Sequence, residues 1–201
     1  AGNVLDLGAT TIHMDGGTIS GGRVDNDLWV NNTAYLRDGV ELNGNINFDQ
    51  YREMRVFGGL TLNGQARLDR EERMRFWYSS EQTEQVLTGG PDSEVWLTYD
   101  HSSYYSEMGL RPNVELTVGP NVLIHGEGYV GSYSRTVQPG TVLENLGTIS
   151  ADRGDDFHVG AETLINRGQM DANGSNSRLR IVSGTGSFVN EGVLGVYNGG
   201  E

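Results

Sequence analysis

The chain has 201 residues, the size of one ordinary domain, with 30 glycines, 4 prolines and no cysteine. That composition excludes collagen-like and proline-stiffened chains, disulfide scaffolds, thiolate zinc sites and cysteine nucleophiles. Lys plus Arg is 14 against 27 for Asp plus Glu, a formal net charge of -13 that repels phosphate backbones and anionic lipid, and no apolar run reaches the length of a membrane span.

In chain order, residues 1–38 carry strand-like runs such as Val4-Leu5-Asp6-Leu7 and read as less regular coils. Asp25-Asn26-Asp27 has alternate acidic side chains but lacks the remaining ligands of an EF-hand loop, so it reads as a turn. From residue 39 the chain copies itself. Gly39-Val40-Glu41-Leu42-Asn43-Gly44 returns as Gly59-Leu60-Thr61-Leu62-Asn63-Gly64, and Met54-Arg55-Val56-Phe57 as Met74-Arg75-Phe76-Trp77, both at an offset of 20. Within a copy, Val40, Leu42, Ile46 and Phe48 alternate with strand spacing. Residues 69–78 have the composition of a charged helix, yet their register with residues 49–57 assigns them to another coil, because elements at one repeat position must stack.

Residues 79–140 read as variable coils, in which Val114, Leu116 and Val118 keep the alternation. Residues 141–201 hold a second repeat. Leu143-Glu144-Asn145-Leu146-Gly147 returns as Leu164-Ile165-Asn166-Arg167-Gly168 and again as Phe188-Val189-Asn190-Glu191-Gly192, at offsets of 21 and 24. Asn-Gly, Gly-Gly and Gly-Pro pairs interrupt the apolar runs where corners are needed. A period near twenty with internal period-two alternation predicts a single all-β domain. The expected fold is a right-handed parallel β-helix (β-solenoid) with coils of about 20–24 residues, right-handed because parallel crossovers turn that way.

At these motifs the chain resembles the repetitive β-helical surface proteins of bacteria, the passenger regions of autotransporter-like and filamentous-haemagglutinin-like proteins. Leu143-Glu144-Asn145-Leu146-Gly147-Thr148-Ile149-Ser150-Ala151-Asp152 is similar to their L-x-N-x-G-T-I-x-A-D coils, and Leu60-Thr61-Leu62-Asn63-Gly64 and Leu116-Thr117-Val118-Gly119-Pro120 to their LTLNG and LTIGPGV coils. The resemblance covers most of residues 39–201. It implies an exported structural stalk or adhesin at a bacterial cell surface or in an extracellular fibre, usually without catalysis. The chain departs from that pattern in its charged and aromatic residues, among them Tyr51, Arg52, Trp77 and Tyr104-Tyr105.

Three groups of residues are candidates for a site. If Met54, Val56, Met74 and Phe76 point inward, alternation sends Phe57 and Trp77 outward on neighbouring coils. Trp29, Trp96, Tyr99, Tyr104 and Tyr105 extend the expected aromatic face, as a contact surface or as a platform for sugar rings. Arg55 and Arg75 also point outward, with Glu53, Asp69, Glu71 and Glu72 as expected neutralisers. The second group is Asp152-Arg153-Gly154-Asp155-Asp156 with His158: a turn between coils, or a calcium site on Asp152, Asp155 and Asp156, or, least favoured, the carboxylates of a carbohydrate-active β-helix. The third is the four histidines, His13, His101, His125 and His158, which have no close sequence partner and predict no zinc site. No Gly-x-Ser-x-Gly elbow is present, so a serine hydrolase is not expected. No catalytic residue and no cofactor other than calcium is expected.

Both ends of the chain read as strand without a blunting segment. The expected partners are therefore a second copy stacked end to end, or neighbouring coils of a longer chain, with glycans as the other candidate.

Overall fold

The computed structural model describes residues 3–78, 82–98, 105–131, 136–182 and 186–201. Apolar alternation and frequent corners give 26 short strands and no helix among these residues. Every strand but the last three pairs in parallel with the strand three places further along the chain, so the strands form three sheets of nine, nine and eight. One strand from each sheet makes one coil, and the molecule is a parallel β-helix. Val4–Leu5 opens the first sheet, Ile12–Met14 the second and Thr18–Ser20 the third. The segment that resembles a charged helix contains the strand Arg73–Phe76, paired with Glu53–Phe57 as the repeat requires.

Coil length follows from register. In the first sheet Val4, Arg23, Glu41, Thr61 and Thr88 are successive partners, at separations of 19, 18, 20 and 27. Leu87, Val118, Asn145, Asn166 and Asn190 continue at 31, 27, 21 and 24. The sequence offsets of 20, 21 and 24 are thus coil lengths. The longer middle coils carry extra residues in connections, between Phe76 and Glu84, Leu97 and Glu107, and Gly131 and Val142.

Stacking at about 4.8 Å per coil places each inward side chain on its equivalent one coil away. The second sheet has an apolar column of Ile12, Leu28, Ile46, Ala66, Val95, Ile124, Ile149, Met170 and Leu194. The third has Ala34, Met54, Met74, Met108, Val130, Val159 and Ile181, with three methionine side chains in sequence. Between the ends these residues are almost all fully buried and form one continuous core.

The column of the first sheet changes chemistry along the rod. It runs Val40, Leu60, Leu87 and Val118, then Asn145, Asn166 and Asn190. Asn145 and Asn166 are fully buried, and each is satisfied by the next coil. Asn145 Nδ2 donates to Asn166 Oδ1 at 2.9 Å and to the Gln169 carbonyl at 3.0 Å. Asn166 Nδ2 donates to Asn190 Oδ1 at 2.7 Å and to the Val193 carbonyl at 3.0 Å. A buried amide so paired avoids the penalty of an unmet donor.

The glycine two residues on has a steric cause. A Cβ on Gly168 would sit 2.1 Å from the Gly147 carbonyl oxygen, and one on Gly192 2.2 Å from that of Gly168. The corner between the third and first sheets uses glycine differently, since Gly58 and Gly59 take φ of 80° and 88°, where a side chain is strained.

The Asn-x-Gly corner makes a direct prediction. Gly168→Ala should cost about 2–3 kcal/mol in denaturant unfolding, because the new methyl meets backbone that cannot swing aside. Arg167→Ala, one residue earlier on an exposed side chain, should cost less than about 1 kcal/mol. Equal effects would contradict the close-packed corner.

Candidate binding faces

On the outer face of the third sheet, Tyr35, Arg55 and Arg75 occupy one column. Arg37 and Phe57 begin the next, and Trp77 and Arg111 follow, placed by the Trp77 N–H on the Val56 carbonyl and the Arg111 N–H on the Phe76 carbonyl. Phe57 and Trp77 do point outward on adjacent coils, half-buried, with ring centroids 6.3 Å apart. Guanidinium groups stack between and around the rings. Arg37 lies 4.1 Å from the Phe57 centroid, Arg55 lies 4.6 Å from that of Trp77, and Arg111 lies 4.3 Å from it. Arg55 comes from the coil before Trp77 and Arg111 from the coil after, so the indole is covered from both axial sides. The two rings are tilted by 31° to one another.

The charges on this face are neutralised by fewer residues than the sequence suggests. Glu53 bonds Arg55 at 2.5 Å and Arg75 at 2.7 Å, and Glu107 meets Arg75 at 3.2 Å. Asp69, Glu71 and Glu72 form no ion pair with either arginine. Glu72 is instead buried at a corner, where burial pushes its carboxyl above the ordinary range.

Trp96 does not extend the Phe57–Trp77 face. It lies on the second sheet, in register with Arg67 and His125. Trp29 is also on the second sheet, and its indole N–H donates to Asp49 at 2.8 Å. Alternation tells inside from outside but does not say which of three sheets a residue joins. Tyr105 lies beside the third sheet, edge-on to Tyr129 at 5.0 Å, and Tyr129 stacks on His158 at 4.5 Å. Tyr99, His101 and Tyr104 lie outside the described residues.

Around Trp96 is a cluster that sequence reasoning missed. Arg67 and Arg153 lie 4.1 Å and 4.9 Å from its ring centroid, and His125 stacks on it at 5.9 Å with an interplanar angle of 11°. His125 Nε2 is 2.6 Å from Glu94 and Nδ1 is 2.7 Å from Asp152, so one imidazole ties together three successive coils. Burial disfavours the charged ring, but the hydrogen bonds and charges of Asp152 and Glu94 outweigh it and raise the His125 pKa above the ordinary histidine value. Two carboxylate acceptors require both ring N–H groups, the form only an imidazolium has. A signal for both clusters was present in the composition: all fourteen basic residues are arginine, whose flat guanidinium stacks on rings as an ammonium does not.

Asp152, Asp155 and Asp156 do not converge. Asp152 serves His125, while Asp156 is met at 2.7 Å by both Arg178 and Arg180. Burial works against the Asp156 carboxylate, but Arg180 holds its pKa below the usual range. Asp155 accepts the Asp156 N–H at 2.7 Å and has Arg178 at 3.8 Å. Among the described residues no three His, Cys, Asp or Glu side chains are grouped to hold a metal ion.

No protein-family model matches the chain, and searches of curated proteins and of solved structures found no match.

The His125 clamp predicts a pH dependence. A pKa raised on folding stabilises fully below the ordinary histidine value of 6.5 and is lost as pH rises through the folded value. Unfolding midpoints should therefore fall as pH rises above the ordinary histidine value of 6.5, and His125→Gln should flatten that fall. An unchanged slope in the variant would show that the clamp carries no net stabilisation.

Proposed function

We propose that this chain is a structural, non-catalytic β-solenoid rod, working at a bacterial surface or in an extracellular fibre. The observation that carries this reading is where the chemistry is spent. Ring faces, guanidiniums and carboxylates on the second and third sheets are engaged with one another along the axis. The motif resemblance to bacterial surface repeats supports the same setting.

The alternative reading, a carbohydrate-binding or carbohydrate-active β-helix, is less well supported. Sugar stacking needs an open ring face, and Trp77 and Trp96 have theirs covered. Acid–base hydrolysis needs two free carboxylates facing a substrate, and Asp152 and Asp156 are occupied by cations.

The two readings separate on Trp77→Ala. The structural reading expects no glycan-array signal from the wild-type chain, and a melting temperature several degrees lower in the variant from loss of a ladder rung. Specific glycan binding that disappears in the variant, with melting unchanged, would overturn it.

A further inference from the structure

We propose that the outer face of the first sheet carries a docking groove for an extended polypeptide segment with a basic side chain and, two residues away, an aliphatic one. The proposal goes beyond the rod reading and does not rest on it.

Four strands build the groove: Glu84–Thr88, Glu115–Val118, Val142–Asn145 and Thr163–Asn166. All four are interior members of the nine-stranded sheet, paired on both sides. Alternation turns Leu87, Leu116, Leu143 and Leu164 into the core. It leaves two columns outside, one of Glu84, Glu115 and Val142 and one of Val86, Thr117, Glu144 and Ile165. With Arg167 these columns border a groove of about 370 Å³, and Val86 is 44% exposed.

The charges in the groove are not balanced as they are on the third sheet. There Arg55 and Arg75 lie in register, and Glu53 and Glu107 neutralise them. Glu84 and Glu115 lie in register too, on strands about 4.8 Å apart. Both are exposed, and among the described residues neither side chain forms an ion pair or a hydrogen bond. The cation beside the groove, Arg167, is engaged with Glu144 and, at 2.8 Å, with Glu191. Carboxylates directly opposite one another repel, and one guanidinium or ammonium group between them relieves both. The net charge of -13 adds a long-range attraction for such a group.

The spacing sets the shape of the occupant. Residues i and i+2 of a strand lie on one face about 6.6 Å apart. That is also the step from the column of Glu84 to the column of Val86. A segment extended along the strands therefore sets its basic side chain on the carboxylate pair and the side chain two residues on against Val86 and Ile165. A metal ion fits less well, because among the described residues no three His, Cys, Asp or Glu side chains are grouped to hold one.

The test uses the whole chain and the peptide acetyl-Ser-Arg-Thr-Val-Ser-amide, with counterparts carrying glutamine for arginine or serine for valine. Binding is followed by NMR shifts of the Val86, Thr117 and Ile165 amides. The first peptide should shift these amides, and each counterpart should bind at least about fivefold more weakly. Raising the salt to about 0.5 M should weaken the arginine peptide most. The double variant Glu84→Gln, Glu115→Gln should lose the preference for arginine and melt no lower than the wild type, since a repulsion has been removed. Glu84→Arg with Glu115→Arg should reverse the preference, toward a peptide with glutamate in place of arginine, a gain that misfolding cannot mimic. No shift at millimolar peptide, equal binding of the glutamine peptide, or shifts centred on Trp77 or Trp96 would overturn the proposal. So would calcium chloride that reproduces the shifts and blocks the peptide, which would make the pair a simple cation site. A dimer seen by sedimentation and abolished by the double glutamine variant would also overturn it, by making a second copy the occupant.

Discussion

The constraint on which the rest of this structure depends is the short axial rise of a parallel β-helix, about 4.8 Å from coil to coil. At that spacing a side chain has one neighbour above and one below, and both occupy its own column. Anything placed in a column must therefore tolerate a copy of itself. Aliphatic residues do so by van der Waals contact, as from Ile12 to Leu194. Asparagine does so because its amide is both donor and acceptor, and glycine fills the corner because the backbone leaves no room for Cβ.

The outer faces obey the same rule with charged groups. Arginine and aromatic rings are flat, so they alternate along the axis without the repulsion that stacked ammonium groups would meet. Arg55 and Arg75 lie in register, yet they share Glu53, and Arg75 gains Glu107 from the next coil. His125 meets the same demand between Glu94 and Asp152. These axial ladders use the groups that a lateral binding site would need, and the proposed scaffold role rests on that engagement.

Much of this was legible in the sequence, for a physical reason. A column repeats its residue type, so the copies of Met54 at Met74 and of Asn145 at Asn166 are the stacking itself written along the chain. The coil lengths and the outward direction of Phe57 and Trp77 follow from it. What was not legible depends on partners outside one repeat. Alternation could not say that Trp96 belongs to a different sheet from Trp77. The neutralisers proposed for Arg75 were chosen for nearness in sequence, whereas its partner Glu107 is 32 residues away. His125 had no sequence neighbour to betray it, because Glu94 and Asp152 lie 31 and 27 residues off. The acidic run near Asp152 reads as a cluster in sequence, but Asp152 faces His125 while Asp155 and Asp156 face Arg178 and Arg180.

The central claim is that axial, like-on-like pairing stabilises the rod, and its most direct test is a double-mutant cycle on Asn145 and Asn166 measured by denaturant unfolding. Leucine at either position alone should destabilise strongly, because the other amide is then buried without its partner. Leucine at both restores a column of one chemistry, continuous with Val118, and should recover about 1–2 kcal/mol relative to the sum of the single changes. Strict additivity would mean that the two asparagines act independently, and that stacking in columns is a by-product of the fold and not its cause.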